Sequence, residues 1–311
     1  MEPDHEWELW VSEEDYQGHD AMDEPPVFFK VQLSEEGQTG GFHIRNRPGE
    51  KQRREVSEFY SGRTRRRAFD VQCDARAIVH GTLEPGSGIR ATLLVYDFTF
   101  NSYRSSRIKN ADIWLDFQSK AGLSASGPSV VEVAPNKRYA VMESAQMETW
   151  TTGVDGSIGT EAFITVAANV GVQKSTEMTA IYSAEVTGNR PSDDWGNHYQ
   201  AHWNLQENPS QRNGIVHNLR TCMLLRRAND DEFDCVPYIR VTPNLRTRLT
   251  SLGGGRSRDD PITYDPDYEP YIDIEGLGCI DRWNLGAVEF DKLWDCTFHT
   301  KFSGAMKDCQ D

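Results

Sequence analysis

Cysteine is sparse in this chain. Six are scattered over 311 residues (Cys73, Cys222, Cys235, Cys279, Cys296 and Cys309), and no two form a CxxC pair. That spacing excludes the zinc-finger type of site and lacks the density of a disulfide scaffold. Long apolar runs are missing too: none approaches the roughly 18 residues a membrane helix needs. The opening segment MEPDHEWELW is acidic and has no apolar h-region, so no secretory signal is expected. The sole near-sequon, Asn208-Pro209-Ser210, is blocked by its proline. These absences together lead to an expected reducing, cytoplasmic location and disfavour a membrane partner. Net positive charge is absent as well. A formal charge of −15 argues against a nucleic-acid or anionic-surface binder as a whole.

Catalytic and cofactor signatures are equally scarce. No GxGxxG opens a βαβ unit, and Gly253-Gly254-Gly255-Arg256 lacks the lysine and spacing of a phosphate loop. Asp155-Gly156-Ser157-Ile158-Gly159 has aspartate where a nucleophile elbow begins with glycine. Asp265-Pro266-Asp267-Tyr268-Glu269 starts like a calcium loop, but Pro270 and Gly276 occupy its sixth and twelfth positions. His198 and His202 would share a metal on a helix. On a strand they stand about 13 Å apart, at about 3.3 Å per residue. No metal and no cofactor is expected.

What the chain has is alternation. From Ala162 to Val186 the even positions are mostly apolar (Ile164, Val166, Val170, Val172, Met178, Tyr182) and the odd ones small or polar, with Phe163 and Ile181 as exceptions. Period two marks a strand with one buried face. The stretch is too long for one strand, so a hairpin is expected here. A three-residue loop Gln173-Lys174-Ser175 would pair Val170 with Met178, Ala168 with Ala180 and Val166 with Tyr182.

The same period begins at Phe69 and runs on. Ile89–Phe100 (IRATLLVYDFTF) is apolar on both parities in its middle, which suits a central strand covered on both sides. Ile113, Leu115 and Phe117 fall on one side of their strand and Trp114 on the other. Further strands are expected at Val130–Val133, Met147–Ile158, His198–Gln206, Leu219–Arg227 and Val236–Val241. Short strands at even spacing, broken by turn residues, predict an all-β fold, a large antiparallel β-sandwich or barrel. Its expected parts are a charged arm and basic loop (1–68), the β body (69–270), and an aromatic tail (271–311) packed on that body. Within the arm, the basic run Arg63-Thr64-Arg65-Arg66-Arg67 reads as an exposed loop or as neutralising the acid before it, with a nuclear-localisation or polyanion patch as the alternative.

One part of the chain has a resemblance. Trp203-Asn204-Leu205-Gln206-Glu207-Asn208, then Gly214-Ile215 and Leu219-Arg220-Thr221, with Asp259-Asp260-Pro261 and Leu94-Val95-Tyr96-Asp97-Phe98, resembles a group of β-rich proteins of filamentous fungi without an assigned activity. It spans roughly residues 70–270. It implies a soluble intracellular all-β protein and carries no catalytic residues with it.

Three functions fit these residues. The first is a non-catalytic module binding a small apolar molecule or a protein partner, with Trp195, Tyr199 and Trp114 as candidate contacts. The second is a cofactor-independent cyclase or isomerase whose acid or base would come from His202, His217, Asp97 or Tyr96. The third is a β-hairpin pore-former, because the alternating 162–186 stretch has the roughly 9–11-residue strand length of membrane barrels. Whether the protein is an enzyme is left open by the sequence.

Overall fold

The computed structural model describes residues 44–63, 66–103, 105–120, 127–152, 174–245, 255–256, 259–274 and 280–298. The chain divides into two units, Met1–Thr39 and Gly40–Asp311. The first lies outside the described residues, and the description concerns the second.

Period-two sequence becomes strand throughout. In chain order the strands are β1 (Glu55–Arg63), β2 (Arg66–Thr82), β3 (Arg90–Ser102), β4 (Ile108–Ser119), β5 (Ser129–Ala134), β6 (Arg138–Thr152) and β7 (Lys174–Asn189). They continue as β8 (Gln200–Gln206), β9 (Asn218–Arg227), β10 (Phe233–Pro243), β11 (Gly255–Arg256), β12 (Ile262–Tyr264), β13 (Tyr271–Ile272) and β14 (Asp295–Thr297). One sheet runs β1-β2-β3-β9-β14, with β13 on β2 and β5 on β9. The other runs β11-β10-β4-β8-β7-β6, with β12 on β10. The result is an all-β fold of two antiparallel sheets, a sandwich and not a closed barrel.

Two apolar layers hold the first sheet. Its inner face (Ile78, Leu94, Tyr96, Met223) packs with Ile113, Leu115, Trp203 and Ile239 of the second sheet. Its outer face (Ala77, Val79, Leu93, Val95, Leu224) is covered by Leu285, Phe290 and Leu293 from the C-terminal segment. β3 is therefore buried on both sides, the arrangement its two-parity apolar run calls for. In β4, Ile113, Leu115 and Phe117 point inward and Trp114 outward, as their alternation requires.

Three expectations are corrected. First, strand structure starts before Phe69. β1 and the beginning of β2 run through the charged stretch read as loop, and β1 is anchored by the buried Val56 and Phe59. Second, Gly255–Arg256 and Ile262–Tyr264, where no strand is expected from the sequence, are short strands on β10. Third, the hairpin expected between 162–172 and 176–186 has a different partner. β7 pairs with β6: Tyr182 lies opposite Ser144, Ala180 opposite Gln146, Met178 opposite Glu148 and Val186 opposite Tyr139. Lys174 and Ser175, assigned to the turn, are strand residues opposite Thr152 and Thr151. The other half of that expected hairpin, 162–172, lies outside the described residues. Alternation gives the faces of a strand but not its partner, since any strand of matching parity satisfies the same pattern.

A strap before β1 is fixed by side chains rather than by sheet pairing. Asp259 accepts the backbone N–H of Ile44 (2.8 Å) and the Ser57 hydroxyl (2.5 Å), and Asp260 accepts the N–H of Asn46 (3.0 Å). This gives the Asp259-Asp260-Pro261 motif a structural role.

Candidate functional site

Sheet pairing stops before β6 and β7 do. β8 pairs with β7 only from Glu185 to Asn189. Toward its N-terminus β7 continues through Lys174, eleven residues beyond that last pair, hydrogen-bonded along this length to β6. At about 3.3 Å per residue the overhang is on the order of 35 Å. Among the described residues no other strand pairs with β7 along this overhang. Ile181 is 70% exposed, with Ala145 opposite it exposed as well.

The ribbon leaves the sheet at a specific joint. Val141 pairs with Ala184 and Ser144 with Tyr182, so two residues of β6 stand against one of β7, a β-bulge. The fully buried Asn208, just after β8, sits against this bulge. Its Nδ2 donates to Ser144 Oγ (3.0 Å) and to the Tyr182 carbonyl (3.1 Å), while its Oδ1 accepts from the backbone N–H groups of Ser210 and Gln211. One carboxamide thus ties the β8–β9 loop to both ribbon strands. Beside it, Glu207 pairs with Arg107 at 3.0 Å. At the other end of the β7–β8 contact, Gly188 lies against the Trp203 indole. A Cβ there would meet the Pro135 carbonyl oxygen at 1.8 Å and Trp203 Cδ1 at 2.7 Å. The Trp203 indole N–H donates to that same carbonyl (3.2 Å). The Trp203–Asn208 motif therefore holds the base of the ribbon at both ends.

The residues singled out as candidate acids, bases and contacts do not converge. Tyr96 and Asp97 are consecutive on β3 and so face opposite ways. Tyr96 is buried with its hydroxyl against that of Tyr264, and burial pushes both phenols up. Asp97 lies on the outer face between Arg76 (2.9 Å) and Arg220 (2.6 Å). His217 Nδ1 donates to the Phe100 carbonyl (2.9 Å). Trp195 is 88% exposed on a turn closed by Asp193, and Tyr199 contributes a backbone carbonyl to the Phe117 N–H.

Trp114 and His202 do come together, as cross-strand neighbours with parallel rings 4.9 Å apart, and Tyr238 closes on the other side of Trp114 at 5.1 Å. Asp112 stands 3.7 Å from His202 Nε2 and accepts the Asn204 amide (2.5 Å). Asp116, also outward on β4, is raised to about 6 by desolvation. These rings pack on each other's faces. Among the described residues no three His, Cys, Asp or Glu side chains are placed to hold a metal ion.

Sequence reasoning missed the ribbon's length and joint. The available signal was Ile181, an apolar residue on the polar parity.

No family model matches the chain, and no curated protein matches it. Among solved structures, the NetB toxin of Clostridium perfringens in its membrane-inserted form is similar over 70% of this chain and 92% of that one, at 8% identity and a TM-score of 0.25. A score that low assigns neither fold nor function.

Proposed function

We propose that the protein is a β-hairpin pore-former, with the β6–β7 ribbon and the 21 residues that join its strands as the membrane-inserting element. The observation that carries this is the eleven-residue overhang of β7 beyond β8. A spanning β-strand needs roughly 9–11 residues, and a hydrogen-bonded strand pair is half-way to the closed backbone a bilayer demands. Register places Ala145 with Ile181 and Thr179 on one face near the base, and Ser144 with Tyr182 and Ala180 on the other. The joining sequence adds to the case, since Ala162, Ile164, Val166, Ala168, Val170 and Val172 alternate with small or polar residues apart from Phe163. No helix of the described residues is long and apolar enough to span a bilayer, so strands would do the crossing.

The test is dye release from vesicles by a protein with cysteines replacing Ser144 and Asn208, whose side chains already touch. Release that is blocked in the oxidised form and returns on reduction is the expected result. Equal release by the locked and unlocked forms, or none by the native protein at any vesicle composition, overturns the reading.

The binding-module reading retains one favourable observation, the Tyr238–Trp114–His202 row with Asp112 and Asn204 beside it. A Trp114→Ala protein that loses thermal stabilisation by a ligand library, while keeping its own melting temperature, would favour it.

A further inference from the structure

A sheet edge is a row of backbone N–H and C=O groups without strand partners, and folded proteins cover, twist or charge such edges because another chain can pair with them. The ribbon has two. β6 is the last strand of its sheet, and among the described residues no strand pairs with its outer edge anywhere from Arg138 to Thr152. β8 pairs with β7 only from Glu185 onward, so among the same residues that edge of β7 has no strand beside it from Lys174 to Ala184.

The protection these edges have is gathered at the base. There Arg138 pairs with Glu185 across the two strands, and Trp294 from the C-terminal segment packs on Tyr139, with ring centroids 4.6 Å apart. The bulge between Val141 and Ser144 twists the strand, and the exposed Glu143 within it adds a charge. On β7, Asn208 takes the Tyr182 carbonyl. Farther out the ladder changes. From Ser144 to Thr152, against Lys174 to Tyr182, the register is unbroken. These stretches hold no proline, and Glu148, Lys174 and Glu177 are their charged residues. Regular backbone of this length is a surface that a further strand can join.

The two edges also suit each other. β6 and β7 are antiparallel, so the β6 edge of one copy set beside the β7 edge of the next gives another antiparallel pair. A two-fold contact of β6 with β6 would leave both β7 edges open. Head-to-tail order uses both edges of every copy and, closed into a ring, leaves none. It also supplies what a lone ribbon lacks in a bilayer, since only a closed set of strands satisfies every backbone group there.

We infer that the partner of the ribbon is the ribbon of a second copy of this chain, with β6 of one copy pairing with β7 of the next. The inference deepens the pore-forming reading and rests on it for the bilayer as the place of assembly.

Cross-linking on vesicles tests it, in a protein whose Cys279, Cys296 and Cys309 are replaced by serine. One preparation carries Glu143→Cys or Ala145→Cys on β6, the other Thr179→Cys or Ile181→Cys on β7, all four being exposed positions. Ala145 faces Ile181 within one chain, so placing the two cysteines on separate chains makes every link intermolecular. With a short bis-maleimide, the mixture should shift to dimer mass on a denaturing gel, and neither preparation should do so alone. The native protein, with no new cysteine, should leave the same vesicles in mild detergent as a multimer. Dimers in the β6 preparation alone, monomers throughout the mixture, or a monomeric native extract overturns the inference. Mixture-dependent dimers without dye release would sustain the edge pairing and remove the pore. Dye release by protein that stays monomeric would do the reverse.

Discussion

Asn208 lies 3.1 Å from the carbonyl of Tyr182, and through that contact a residue of the β8–β9 loop controls where the β6–β7 ribbon leaves its sheet. The bond is buried and its donor also reaches Ser144, so the joint depends on one side chain with its hydrogen-bonding capacity in use on both sides.

Asn208→Ala should therefore loosen the ribbon selectively. A buried hydrogen-bonding group left without its partner costs roughly 1–3 kcal/mol. The loss should show as faster amide exchange in Ser144–Thr152 and Lys174–Tyr182, with β3 and β9 unchanged. Uniform acceleration across both sheets would mean that Asn208 supports the fold as a whole rather than the joint.

Gly188→Ala tests the other end of the β7–β8 contact. A methyl group there collides with the backbone of Pro135, which cannot swing aside as a side-chain tip can. Destabilisation at or above the usual 1–3 kcal/mol of overpacking is expected in chemical denaturation. An unchanged midpoint would show that Pro135 and Trp203 move apart freely.

Two buried titratable groups should oppose one another in acid. His80 accepts the Gln52 amide at Nε2 (2.9 Å) and donates from Nδ1 to Thr92 (2.9 Å), and burial lowers it from 6.5 to about 3. The unfolded chain therefore takes up a proton below about 6.5 that the folded protein refuses. Stability is lost as pH falls from there toward 3, on the order of 4 kcal/mol in full. Asp116 runs the other way. Raised by desolvation to about 6, it is protonated first in the folded state, so acidification from 6 toward 3.8 restores stability, on the order of 2 kcal/mol. His80→Gln should flatten the acid limb of a stability–pH curve, and Asp116→Asn should raise stability at pH 7. Identical acid limbs in wild type and His80→Gln would place the proton uptake elsewhere.

Much of the architecture was legible because a sheet's two faces impose period two on the sequence. The inward Ile113, Leu115 and Phe117 and the doubly buried β3 could be read directly, since burial selects apolar side chains whatever strand lies alongside. The candidate site was not legible in the same way. Asn208 is separated by 64 residues from Ser144, and nothing local to either announces the contact. Tyr96 and Asp97, each offered as an acid or base, are adjacent in sequence, and on a strand adjacency guarantees opposite faces.

By itself, then, the sequence determined the class of structure: alternating strands, with a central one covered on both sides. Tertiary structure alone decided that β7 pairs with β6, that both outrun β8, and that Asn208 meets Ser144 and Tyr182 at the joint. The reason is that face is a property of one strand, written in its own alternation. Partner and overhang belong to pairs of strands, and they are settled by hydrogen bonds between residues far apart in the chain.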